Sequence, residues 1–200
     1  DVYKRQALHA QVQQMFAGGD GPVNQQLATD VARRAAAQGG DSSVGEAAQR
    51  DAEQVGNVAS LWLDAATEFP AASGAVQVVS RAEWVETTMP AWVEALTPLA
   101  EGVNSAVASS LTDRLGDDPE ALRSQLPPGM SLPGGMDMEA VMDQMAPMME
   151  RMSSSMFSLQ LGQAAGALSQ EVVSGTDVGL PLVPAGRVLV LPTNVRAFAE

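Results

Sequence analysis

The chain has 200 residues, 46% of them hydrophobic, and a formal net charge of −13. That size and composition suit one globular domain, or one large part of a larger one, and argue against general disorder, and no apolar run approaches the roughly 18 residues a membrane span needs. The acidic balance, with no basic cluster, excludes nucleic acid, whose binding draws on Lys and Arg releasing counterions, and disfavours an anionic membrane surface.

Residues 1–6, DVYKRQ, hold the chain's one lysine and one tyrosine. They resemble translated sequencing-adapter sequence of the kind found in metagenomic assemblies and are set apart as a non-native leader. Residues 7–125 read as a helical region. Ala7 to Phe16 is helix-compatible and closed by Gly18-Gly19-Asp20-Gly21. Pro22 fits the first turn of a helix running to Gln38, where its missing amide costs nothing, and Gly39-Gly40-Asp41 ends it. Ser43 with Glu46 has the capping-box spacing. After it, Val44, Ala48, Val55, Val58, Ala59, Trp62 and Ala66 recur at helical spacing, which predicts one buried stripe. Residues 71–80 are open between a loop and a short strand.

Ser80 with Glu83 repeats the capping pattern, and Trp84, Val85, Thr88 and Trp92 share a face. Pro90 and Pro98 are expected to bend or break this helix, since each removes a backbone donor and crowds the preceding turn. Asp118-Pro119-Glu120 opens another short helix. Residues 126–136, rich in Pro and Gly, read as a linker, and 137–200 as one incomplete unit. That unit starts with a long helix from Asp137 to Val173, kinked at Pro147. Gly175 is placed as its left-handed cap. Leu180 to Val183 and Arg187 to Leu191 then read as two strands of a β-hairpin turning at Pro184-Ala185-Gly186. Thr193 caps a last helix, Asn194 to Glu200, barely two turns long and without a stop signal. The fold class is therefore mainly α, a multi-helix bundle-like domain with one small β-hairpin near the C-terminus and a truncated last helix.

The chemistry-bearing residues are few. His9 is the sole histidine and there is no cysteine, short of the three protein ligands that a catalytic zinc normally takes. Asp117 with Asp118 and Glu83 with Glu86 are the nearest carboxylate pairs for a hard cation, but neither has a caging loop, and both read as solvated helix caps or faces. No internal histidine base and no G-x-S-x-G elbow exist for a serine nucleophile. Gly39-Gly40 and Gly134-Gly135 lack the P-loop lysine and the Rossmann spacing, and are turns. No catalytic, cofactor-binding or metal residue is assigned. Trp62, Trp84 and Trp92 read as core anchors. Nine of the eleven methionines lie between Met130 and Met156. Met138, Met142, Met145, Met149, Met152 and Met156 fall along one helix face, either a core- or dimer-facing stripe or an adaptable groove for apolar partners. Ten of the eleven basic residues are arginine, and isoleucine is absent; this is the mark of high-GC bacterial coding rather than of phosphate recognition.

Longer stretches carry a resemblance. Gly21-Pro-Val-Asn24, Leu61-Trp-Leu-Asp64, Ser80-Arg-Ala-Glu-Trp-Val-Glu-Thr87, Gln160-Leu-Gly-Gln163, Gly166-Ala-Leu168, Glu171-Val172, Asp177-Val-Gly-Leu-Pro-Leu182, Pro184-Ala-Gly186 and Leu191-Pro-Thr-Asn-Val195 with Phe198 resemble the zincin-like metallopeptidases. The likeness runs in register from about Gly21 to Glu200. In that family a helix with an H-E-x-x-H-like motif follows just downstream, so its metal and catalytic residues map onto no position here. The resemblance implies zinc for the full-length family and none bound by this chain, with a peptide or protein substrate in the complete protein. This chain is expected to be an N-terminal and middle fragment that supplies helical scaffold and one wall of the cleft. The competing expectation is a non-enzymatic interaction module whose Met-rich face binds an apolar peptide or partner helix; homo-oligomers are a third. The cysteine-free sequence agrees with a cytoplasmic setting.

Overall fold

The computed structural model describes residues 21–68, 74–117 and 138–199. Among them the chain is mainly helical, in the order α1 (Gln25–Ala36), α2 (Glu46–Ala66), β1 (Val76–Val78), α3 (Arg81–Asp117), α4 (Met138–Leu168), β2 (Val188–Val190) and α5 (Pro192–Ala199). Two compact units emerge: residues 25–95 with 158–200, and residues 1–24 with 96–157. The short helix expected after Asp118 and the linker at 126–136 lie outside the described residues.

In the first unit α1 packs its alanine stripe against the end of α4. Ala28, Ala32 and Ala36 recur every four residues and are buried, which keeps one face of the helix flat. Gly162 and Gly166, also four apart, let α4 come close. A Cβ on Gly162 would lie 2.5 Å from the Ala28 carbonyl oxygen, and one on Gly166 2.5 Å from the Ala35 Cβ. Pro22 lies ahead of α1 rather than in its first turn. The helix ends as expected, in a 3-10 turn at Ala37–Gly39 followed by Gly40 at φ +81°, a left-handed conformation that suits glycine.

The β-hairpin is corrected. Leu180 to Val183 forms no strand, and the sheet pairs β1 with β2 in parallel, Val76 with Val188 and Val78 with Val190. The turn at Pro184-Ala185-Gly186 does form, with the Arg187 amide donating to the Pro184 carbonyl at 3.2 Å and Gly186 at φ +80°. It delivers β2 beside β1 instead of folding back on its neighbour. The other edge of β2 is met by residues 173–175: Ser174 bridges Val190 in antiparallel sense, and Leu191 donates to the Val173 carbonyl. Gly175 is therefore not a left-handed helix cap. It sits at the sheet because a Cβ there would lie 2.3 Å from a Val183 methyl.

Three further expectations are revised. The Ser43–Glu46 capping box does not form, because α2 starts at Glu46 with Gly45 at its N-cap and no side-chain cap bond. None of α2's residues is buried, and Trp62 is 73% exposed, so the stripe exists without an element over it among the described residues. Pro90 and Pro98 do not break α3, which runs unbroken through both. Both prolines are exposed, while Trp84, Val85, Thr88 and Met89 are buried on the same helix, and that burial outweighs the loss of two donors. Pro147 is likewise carried inside α4, which ends at Leu168, short of Val173.

Candidate functional site

The most organised polar region lies where the start of α3, the end of α4, the small sheet and α5 meet. Its first component is legible locally. Ser80 and Glu83 form the expected capping box, with the Ser80 amide donating to Glu83 Oε2 at 2.7 Å and the Glu83 amide to Ser80 Oγ at 3.2 Å. Its second comes from far along the chain. Asp41 accepts from the amides of Arg81 and Ala82, at 2.9 Å each, so the free amides of the α3 N-terminus face a carboxylate, as the helix dipole favours.

Asn194 is the centre. It is buried and its side chain is fully engaged. Nδ2 donates to the Ser169 carbonyl at 2.9 Å and to the Val172 carbonyl at 2.6 Å, while Oδ1 accepts from Arg81 Nε at 2.9 Å. Arg81 Nη1 also donates to the Gly40 carbonyl. One asparagine thus ties the end of α4, the start of α5 and the start of α3 together. The helix α5 begins at Pro192, with the Asn194 and Val195 amides donating to the Leu191 carbonyl. Thr193 therefore lies inside the helix instead of capping it.

Around this centre, Trp84 is fully buried and its indole N–H donates to the Ser174 carbonyl at 3.1 Å. Asp177 closes the turn beyond: Ser174 Oγ and the Val173 and Ser174 amides all donate to its carboxylate. Burial opposes ionisation of Asp177, but the Ser174 hydroxyl and then the two amides outweigh it and hold the carboxyl below its ordinary value. The outer edge of β1 is occupied as well. Gln49 of α2 donates Nε2 to the Val76 carbonyl at 2.8 Å and accepts from the Val78 amide at 2.9 Å, so a side-chain amide stands where a neighbouring strand's peptide group would.

The residues singled out from sequence fall elsewhere. Glu83 is engaged in its capping box, and Glu86 pairs with Arg33 at 3.0 Å on the surface. His9 and Asp118 lie outside the described residues. No group of three or more His, Cys, Asp or Glu able to hold a metal occurs among the described residues. Trp84 is a core anchor as expected, Trp92 is partly buried, and Trp62 is a surface residue. Of the methionine stripe, Met152 and Met156 are exposed, Met149 is partly buried, and Met138, Met142 and Met145 have side chains outside the described set. Asn194, Arg81, Asp41 and Gln49 were given no site role from the sequence, although Arg81 and Asn194 fall in the stretches that carry the family resemblance. The partners that give them their place here lie 22 to 113 residues away, so no local spacing announces them.

The arrangement orients helices and a strand edge. A family model described as zincin-like metallopeptidase matches residues 23–200. No curated protein and no solved structure matches the chain.

Proposed function

The chain belongs to the zincin-like metallopeptidase family, and from that premise we propose that it is the helical scaffold of a metallopeptidase-type hydrolase. In this reading it furnishes one wall of the cleft and sets the course of α5, while the metal ligands come from outside these 200 residues. The observation that carries the division of labour is the donor set. The family implies zinc, yet one histidine and no cysteine do not fit the sets of three protein ligands, His most often among them, that hold a catalytic zinc. The carboxylates nearest the organised region are already engaged, Asp41 at the α3 amides and Glu83 in its capping box. No hydrolytic step is assigned to any residue of this chain.

What the scaffold offers is position. Asn194 and Arg81 fix α5 against α3, and a metallopeptidase needs helices held rigidly to place a reacting group within fractions of an ångström. A peptide or protein substrate and a cytoplasmic setting go with this reading, as does the absence of nucleic-acid and membrane partners. No described helix is long and apolar enough to cross a membrane. The test is metal retention. After loading with zinc and dialysis, the chain is expected to hold far less than one zinc per molecule and to leave a peptide mixture uncut by mass spectrometry. One zinc per chain, with cleavage that a chelator abolishes, would overturn the assignment.

A further inference from the structure

In the unit formed by residues 25–95 and 158–200, α2 is attached with little burial. It is 21 residues long and none of them is buried. Val55, Leu61 and Trp62, side chains that could anchor it, are 68%, 68% and 73% exposed. Burial of an apolar face is what ordinarily holds a helix to its domain, and α2 supplies little of it. It is held on β1 instead at two places seven residues apart, and so on one face of the helix. At Gly56 the helix backbone comes so close that a Cβ there would lie 2.4 Å from a Val76 methyl. At Gln49 the side-chain amide bonds the strand.

Those bonds use both protons and the oxygen of one amide. Gln49 Nε2 donates to the Val76 carbonyl at 2.8 Å and to Glu53 Oε1 at 2.6 Å, while Gln49 Oε1 accepts from the Val78 amide at 2.9 Å. Glu53, one turn on, aims the group. The bonds to Val76 and Val78 are the pair that one residue of a parallel neighbouring strand would make. Among the described residues they are the hydrogen bonds that join α2 to another element. On the opposite edge the Val79 amide donates to the Val190 carbonyl at 2.9 Å, inside the sheet. Two successive amides, Val78 and Val79, thus answer to different partners, α2 and β2.

We propose that α2 is a latch over the outer edge of β1, closed by Gln49, that swings off as a unit while β1 stays paired with β2. Opening exchanges two hydrogen bonds for bonds to water and uncovers little apolar area, and segments with few buried contacts open well below the free energy of global unfolding. Closed, the latch denies the edge to any other strand, which is how an unpaired edge is kept from pairing indiscriminately. Open, it presents the Val76 carbonyl and the Val78 amide, an acceptor and a donor at strand spacing, with the Asn194 centre still in place. The latch does not depend on the metallopeptidase assignment.

Amide-resolved hydrogen exchange by NMR on the whole chain tests it. After correction for intrinsic rates, Val78 is expected to exchange about tenfold faster than Val79 or more, and to respond little to low denaturant, because a local opening exposes little surface. Val79 should follow the steeper dependence of global unfolding. Gln49→Met keeps the side chain's length and removes both bonds; it should speed Val78 about tenfold further and leave Val79 within about twofold. Gly56→Ala leaves Gln49 intact and presses the helix off Val76, and it should speed Val78 as well, a result that displacement of α2 explains and loss of a side-chain bond does not. Should a variant lose the fold, the comparison of Val78 with Val79 in the unaltered chain still decides. Val78 exchanging together with Val79 at the same denaturant dependence, or a Val78 rate left unchanged by either substitution, overturns the proposal.

Discussion

The region around Asn194 and the pair of stretches around Asn104 and Ser153 are held in opposite ways. In the first, directed bonds between distant residues fix three helix ends and a strand edge, and almost every polar group has a named partner. In the second, a single named side-chain bond joins two helices whose flanking apolar side chains stand exposed. Directed bonds specify one geometry because each buried group left unpaired is penalised. An exposed apolar strip specifies little by itself and gains its free energy only when something covers it. The contrast is that between a part whose geometry is specified by directed bonds and a part whose apolar side chains stand exposed.

The largest expected effect breaks the first region at its core. Trp84→Ala removes a fully buried side chain and its bond to Ser174, and should lower stability by about 3–5 kcal/mol, measured by chemical denaturation. Asn194→Ala strands two carbonyls and one arginine nitrogen and should cost about 2–4 kcal/mol, with Asn194→Asp failing to rescue because it cannot donate. Gly166→Val should cost about 1–3 kcal/mol by forcing α4 from α1. Two small effects sharpen the comparison. Asp177→Asn should lower stability slightly at neutral pH and make no difference in strong acid. A carboxyl held below its ordinary value of about 3.9 contributes stability above that value, and the contribution is lost as pH falls through the lowered one. Trp62→Ser, on the exposed face of α2, should change stability by no more than about 0.5 kcal/mol.

What the sequence made legible follows distance along the chain. The start of α3 was readable because Ser80 and Glu83 satisfy each other within one turn, and the turn at Gly186 because only a few residues are involved. The sheet was not. Val76–Val78 and Val188–Val190 are three-residue runs whose pairing spans more than a hundred positions, and a run that short names no partner. A nearer apolar run, Leu180 to Val183, looked the better match. The stripe on α2 shows the second limit: helical periodicity reports which face is apolar and says nothing of what covers it. The proline rule misled on α3 because it weighs the lost amides and not the burial of Trp84 and Met89 in the turns just before a solvent-facing Pro90. The family likeness was legible over most of the chain, since it draws on residues such as Leu191-Pro-Thr-Asn194 whose role appears only once Asn194 is seen between three helices.

The division between scaffold and metal site can be read most directly from a thermal melt with and without zinc. A ligand that binds only the folded chain raises its stability by about 2.7 kcal/mol at a hundredfold excess over Kd, which for a chain of this size is a shift of several degrees. The account predicts no saturable rise in Tm as zinc is added to the whole chain. A rise that saturates at one equivalent would place a metal site within these residues and contradict it.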